Sequence, residues 1–241
     1  MIRRQIRFTK QINIHKIQSS QNVRSWRNAL SGVPAFLIGN SPSLDDIDIG
    51  LLNDYFTIGI NRVYLRIDPT ILIWQDKEIF NENKEAIKSL QAIKFCPSNL
   101  DKKGEFHNFR LMQNFYRLPH SPFVLFGKNG STGVLAFELA FVLGCNPIIL
   151  LGMDCKYRNG KTDFYGVNKF HNSSSLNNCS RGLSWIASCQ EITTIITCNP
   201  IKRITNCQSL ESVFSSIESG SSKGRVFFQK KLLQNNYCVS G

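Results

Sequence analysis

Pro34-Ala35-Phe36-Leu37-Ile38-Gly39-Asn40-Ser41-Pro42-Ser43-Leu44 is an apolar run that stops at a glycine and enters a polar turn. The apolar part, Ala35–Ile38, reads as a buried strand. A strand that ends this way leaves backbone N–H groups at the start of the next helix, where the helix dipole also favours an anion. Ser43, with Asp46 three residues on, forms the S-x-x-D pattern of a capping box and predicts a helix over 44–52. Gly39, Asn40, Ser41, Pro42 and Ser43 are therefore candidates for holding a phosphate or a nucleotide. The same residue types also serve when they do no more than cap a helix, and both readings stay open at this point.

Outward from this turn the chain alternates between strand-like and helix-like segments. Strands are predicted over 55–60 and 70–74, ending at Asn61-Arg62 and Gln75-Asp76, then a helix over 78–90 and a strand over 92–96. A loop-rich stretch, 97–128, carries His107 and His120. Gly130-Ser131-Thr132-Gly133 opens an apolar helix over 134–143 that closes at Gly144, so Ser131, Thr132 and Gly133 form a second candidate anion site. Residues 148–151 are apolar enough for a central parallel strand. They run into Gly152-Met153-Asp154 and a polar loop with Tyr157, Tyr165, His171 and the Ser/Asn-rich stretch 171–180. A helix and strand over 183–196 and a last helix over 209–217 complete the pattern. Such alternation predicts an α/β fold, a parallel sheet flanked by helices. In open sheets of this kind the ligand crevice lies at the carboxyl ends of the strands, where Asn40, Asn61 and Asp76 would converge. Strand ends are also polar simply because they meet solvent.

At 241 residues and 42% hydrophobic side chains, the chain is long enough for one full core. The net charge of +12 is unevenly placed. Residues 1–30 hold Arg3, Arg4, Arg7, Lys10, Lys16, Arg24 and Arg27 with no acid, and residues 221–241 hold Lys223, Arg225, Lys230 and Lys231 with no acid. A nearly neutral body with two basic arms argues against a specific nucleic-acid groove. The expected organisation is a basic arm over 1–30, one domain over 31–217, and a linker with a basic tail over 218–241. The arms fit peripheral contact with an anionic membrane surface, simple solvation, or a targeting segment at the N-terminus. No apolar run approaches the roughly 20 residues of a membrane span, and the N-terminus lacks the apolar core of a secretory signal, so a cytoplasmic protein is expected.

The eight cysteines include no C-x-x-C pair and no matching histidine spacing, which excludes the common zinc patterns and fits thiols in a reducing compartment. Asn129-Gly130-Ser131 and Asn172-Ser173-Ser174 match the glycosylation sequon, which has meaning only in a secreted chain.

Gly39-Asn40-Ser41-Pro42-Ser43-Leu44, Asn61-Arg62, Ser131-Thr132-Gly133-Val134 and the run from Leu143 to Asp154 occur in an order that resembles two related Rossmann-like families. One is the bacterial lipooligosaccharide sialyltransferases of glycosyltransferase family 42. The other is the 6-hydroxymethylpterin diphosphokinase MptE-like family. The resemblance covers roughly residues 34–200 and implies a Rossmann-like, single-domain transferase. By the sialyltransferase likeness, the turn at Gly39, Asn61 and the segment Ser131–Gly133 would hold the cytidine monophosphate of a CMP-sugar donor. Tyr157 and Tyr165 would hydrogen-bond the departing phosphate, and His171 would be the general base toward a glycan or lipid-linked acceptor. The chemistry is coherent, because sialyl transfer builds negative charge on the phosphate and releases a proton from the acceptor hydroxyl. No cofactor is required in this scheme.

The MptE-like likeness implies a different reaction, transfer of diphosphate from ATP to a pterin-like alcohol. There Asp76 and Asp154 would help to hold Mg²⁺ against phosphates, and Asp154 would belong to the nucleotide site. A third reading keeps the nucleotide pocket in a catalytically silent scaffold.

Overall fold

The structure is a computed structural model that describes residues 26–112, 118–127, 130–168 and 172–219. In chain order it contains β1 (Ala35–Ile38), β2 (Thr57–Ile60), β3 (Ile71–Ile73), α1 (Lys77–Glu82), α2 (Lys84–Ser89), β4 (Ile93–Pro97), β5 (His107–Leu111), β6 (Val124–Leu125), α3 (Thr132–Val142), β7 (Ile148–Leu151), α4 (Ser173–Ser188), β8 (Ile195–Thr197) and α5 (Leu210–Ser219). The eight strands form one sheet in the order β6-β5-β4-β3-β2-β1-β7-β8, and every adjacent pair is parallel. This is the Rossmann-like α/β architecture expected from the alternation of segments.

The central strands are buried on both faces, which is why they read as unbroken apolar runs. Along β1, Ala35 and Leu37 pack into one core layer and Phe36 and Ile38 into the other; along β7, Ile148 and Leu150 alternate in the same way with Ile149 and Leu151. The first layer is filled by α3, of whose residues all but Phe141 are buried. Phe137 on α3 meets Trp185 on α4 edge-on, with ring centroids 5.9 Å apart. The second layer holds Leu44, Leu52, Trp74, Leu210 and Val213. Trp26 and Leu30, which fall inside the stretch read as a basic arm, belong to the first layer, and Trp26 meets Phe95 at 5.4 Å. Residues 1–25 and 220–241, which carry most of the basic arms, lie outside the described residues.

Several local expectations are corrected. The helix over 44–52 is two 3₁₀ turns, Pro42–Asp46 and Ile49–Leu52. There is no capping box, because Ser43 sits inside the first turn and its hydroxyl donates to Asp154 instead. The helix over 78–90 breaks at Asn83, whose backbone (φ −140, ψ 37) leaves the helical region between α1 and α2. The stretch 97–128 holds two strands, β5 and β6, that extend the sheet edge. The Ser/Asn-rich stretch is the first half of α4, started by Asn172, whose side chain accepts the Ser175 N–H at 3.0 Å. Leu176, Leu183, Ile186 and Ala187 give α4 its single buried face.

From β1 the chain builds outward to β6 on one side, then crosses back through α3 to lay β7 on the other side of β1. The carboxyl ends of β1 and β7 therefore flank the switch point of the sheet, where doubly wound folds open a crevice. Among the described residues no helix is long and apolar enough to cross a membrane.

Candidate functional site

A cavity of about 420 Å³ opens at this switch point. Asn40 and Ser41 after β1, Asn61 and Arg62 after β2, and Gln75 and Asp76 after β3 form one wall. Gly130 to Gly133 at the start of α3, Cys155, Thr162, Asp163 and Asn168 from the loop after β7, and Ser175 and Cys179 on α4 stand across from it. A larger cavity, about 700 Å³, lies before β4 and β5 at the opposite end of the strands, lined by Lys88, Lys94 and His107. The smaller one is the candidate site because the strand carboxyl ends and the α3 N-terminus converge there.

The two turns at the switch point are bound to each other. The Gly39 and Ser41 N–H groups donate to the carbonyls of Leu151 (2.8 Å) and Gly152 (2.9 Å). The Cys155 N–H donates to Ser41 Oγ at 3.1 Å, and the Gly152 N–H to Asn199 Oδ1 at 3.1 Å. The expectation of free backbone amides at this turn is corrected: its Gly39 and Ser41 N–H groups are engaged by the β7 turn and are not offered to a phosphate. The turn presents side chains instead. Gly39, Pro42, Ser43 and Asp154 sit behind the cavity wall, and Gly39 is glycine because the β1 and β7 turns touch there.

Two of those side chains are incomplete. Asn40 Nδ2 donates to the Ile60 carbonyl at 3.1 Å, while its buried Oδ1 has no partner. Asn61, held in the left-handed region at φ 51, also buries an unpartnered Oδ1. An unmade hydrogen bond on a buried acceptor costs about 1–3 kcal/mol, and both residues that carry one line the cavity. Opposite them is the start of α3, where the Val134 and Leu135 N–H groups donate to the Ser131 carbonyl and the Thr132 and Gly133 amides precede the first helical acceptor. Its entrance is fixed by Gln75 Nε2, which donates to the Gly130 carbonyl at 2.6 Å, and by Glu138, whose Oε2 accepts the Phe126 and Gly127 N–H groups at 2.7 and 3.1 Å. Burial pushes the Glu138 carboxyl up to about 7.

Arg62 brings positive charge to the wall. It pairs with Glu82, its NH1 donates to the Tyr165 hydroxyl at 3.4 Å, and its guanidinium stands 5.3 Å from the Tyr165 ring centroid. Asn168 Nδ2 donates to the same hydroxyl at 3.1 Å. Tyr165 rides on the tight turn between Asp163 and Gly166, whose neighbour Phe164 donates its N–H to the Asn40 carbonyl at 2.8 Å. Burial, with the Asp163 carboxylate adding to it, pushes the Tyr165 phenol up to about 12. It therefore stays a neutral hydroxyl, accepting two N–H groups and keeping its own proton to donate.

Of the residues singled out in the sequence, Asn40, Ser41, Asn61, Ser131, Thr132, Gly133 and Asp76 line the cavity. Tyr165 touches it through Arg62 and Asn168. Tyr157 is 54% exposed and not part of the wall. His171 lies outside the described residues. Asp76 faces the cavity but Asp154 accepts from Ser43 behind it, so the two do not form a joint cation cradle. Among the described residues no three His, Cys, Asp or Glu side chains converge on a metal position. The wall also holds Arg62, whose signal in the sequence is a cation beside Asn61, and Asp163, Asn168 and Cys179, for which no local signal exists.

No protein-family model matches the chain, and no curated protein matches it. Among solved structures it is similar to the MAf glycosyltransferase from Magnetospirillum magneticum AMB-1, at 19% identity and a TM-score of 0.55, over 78% of this chain and 35% of that one. The two share a fold. The chain spans about a third of that protein's length. Two structures of the sialyltransferase CstII from Campylobacter jejuni are also similar. One is in complex with cytidine-5′-monophosphate and one with CMP-3FNeuAc. Their identities are 16% and 13%, over 76% and 73% of this chain and 84% and 86% of theirs, with TM-scores of 0.44 and 0.45. These looser likenesses add nothing to the first.

Proposed function

We propose that the chain is a glycosyltransferase of the sialyltransferase type that takes its sugar from a CMP-activated donor bound in the switch-point cavity. The observation that carries this reading is the pair of buried, unpartnered carboxamide oxygens on Asn40 and Asn61, which ask for ligand donors such as an amino group or sugar hydroxyls. The open amides of α3 and the Arg62 guanidinium suit the anionic part of such a donor. The Tyr165 phenol is a neutral donor standing behind Arg62 and Asn168 of the wall, and it and the exposed Tyr157 would both have to move in to meet a departing phosphate. His171 is the proposed base toward the acceptor hydroxyl, a role for which an imidazole is the usual side chain. The fold shared with a glycosyltransferase and the motif order both favour this class.

Asp76 on the cavity wall favours a second reading, the MptE-like transfer of diphosphate from ATP with Mg²⁺, although Asp154 does not join it there. Thermal unfolding with CMP, CMP-sialic acid, ATP and GTP, each with and without Mg²⁺, separates the two. A ligand at 100 times its Kd adds about 2.7 kcal/mol, a shift of several degrees. Stabilisation by CMP compounds without metal, followed by transfer to a glycan that is lost in His171→Ala, supports the glycosyltransferase. A shift only with ATP and Mg²⁺ replaces it with the diphosphokinase. Nucleotide binding with no transfer to any acceptor leaves the silent scaffold. Contact of the basic arms with an anionic membrane is part of the proposal, and unchanged liposome binding after deletion of both arms would remove it.

A further inference from the structure

Cys155 and Cys179 are neighbours on the wall of the candidate site, with side chains close enough for each thiol to act on the other. Cys155 stands in the turn after β7, held in the left-handed region at φ 51, with its N–H on Ser41 Oγ at 3.1 Å and its Sγ 3.4 Å from the Met153 carbonyl oxygen. Cys179 belongs to α4, and both residues line the cavity. The other described cysteines are placed differently: Cys96, Cys145 and Cys189 are buried, while Cys198 and Cys207 neighbour each other beside β8 and away from the cavity.

We infer that Cys155 and Cys179 are a reversible dithiol–disulfide site, oxidised by a low-molecular-weight disulfide of the glutathione type, and that the resulting bond ties α4 to the turn that holds Ser41. The neighbouring Cys179 side chain, burial and the Asp154 and Asp163 carboxylates hold the Cys155 thiol protonated, so the half-exposed Cys179, as thiolate, attacks a sulfur of the small disulfide, giving a mixed disulfide and releasing the first small thiolate. The second protein thiol then loses its proton and attacks the first protein sulfur, releasing the second small thiolate. Two S–H bonds of the protein and one S–S bond of the oxidant are exchanged for one protein S–S bond and two small-molecule thiols. The protein loses two electrons, and the small disulfide gains them. The second step is intramolecular, between side chains that are already neighbours on one cavity wall.

The closed loop runs from 155 to 179 and contains Thr162, Asp163 and Asn168 of the cavity wall together with Tyr157 and Tyr165. Oxidation therefore fixes one whole side of the cavity, and reduction releases it. This inference stands on the two thiols and does not depend on which ligand the cavity takes.

The test uses the full chain, equilibrated with reduced and then with oxidised glutathione, and reads peptide mapping and thermal unfolding. The expected result is a linked peptide joining Cys155 to Cys179, and a Tm higher by roughly 5–10 °C in the oxidised protein, as for a disulfide closing a loop of this length. Both should vanish in Cys179→Ser and in Cys179→Ala, the second guarding against a folding defect in the first, and both should persist in Cys207→Ser. Stable glutathione adducts at Cys155 or Cys179 without the linked peptide would overturn the inference. So would a link that joins other cysteines, or one that leaves Tm unchanged.

Discussion

A Cβ on Gly39 would stand 2.1 Å from the carbonyl oxygen of Gly152 and 2.7 Å from Met153 Cγ. The glycine that ends β1 is thus required by backbone contact with the turn after β7, independently of any ligand. Gly39→Ala must push the two turns apart where four hydrogen bonds join them. We expect a loss of roughly 3 kcal/mol or more, and a Tm lower by roughly 6–12 °C, in differential scanning calorimetry without ligand. An alanine variant as stable as the parent would mean that the turns are not in contact.

Asn61 separates binding from folding more cleanly. Its left-handed backbone suits glycine, and its Oδ1 has no protein partner. Asn61→Gly should leave the Tm of the free protein within a few degrees and weaken CMP binding about tenfold, the loss of roughly one hydrogen bond, by isothermal titration calorimetry. Unchanged affinity would place the ligand elsewhere.

Arg62 is committed to Glu82 and Tyr165 in the free protein. Arg62→Met should weaken an anionic nucleotide about ten- to a hundredfold while leaving the uncharged nucleoside nearly unaffected. Equal losses for nucleotide and nucleoside would mean that Arg62 acts by holding Tyr165 in place and not by its charge.

Glu138 gives a pH signature. Its ordinary value is 4.5 and burial pushes it to about 7, so between these pH values the folded chain keeps a proton that the unfolded chain has released. Stability from this group is fully present below about pH 4.5 and is lost as pH rises through about 7, by up to about 3 kcal/mol. Glu138→Gln keeps the acceptor for Phe126 and Gly127 and removes the charge. Its unfolding free energy by urea titration should fall less across this pH window than that of the parent, and identical pH profiles would refute the assignment.

The central strands were legible because their burial is written locally. Ala35–Ile38 and Ile148–Leu151 emerge with the bounds read from the sequence, since a strand covered on both faces leaves an unbroken apolar run. Edge elements carry no such mark. β5, His-Asn-Phe-Arg-Leu, buries only Phe109, and β6 is two residues long, so both passed for loop. The first half of α4 misled for a related reason: its Ser and Asn residues are solvent-facing, and only Leu176 and the later apolar residues mark the packed side. The polar ends of β1, β2 and β3 did place Asn40, Asn61 and Asp76 on one cavity, as strand ends in a parallel sheet must share an edge.

By itself, then, the sequence determined the α/β alternation, the parallel sheet and the edge on which a ligand would be met, because these follow from apolar runs and from residues adjacent in the chain. Only the tertiary structure decided what the edge presents. The pairing of β1 with β7 engages the Gly39 and Ser41 amides, turns Ser43 toward Asp154, and brings Phe164 to Asn40 and Cys179 to Cys155. Each of these contacts joins residues more than 20 positions apart, and each depends on the order in which the strands pack, which no local pattern of side chains encodes.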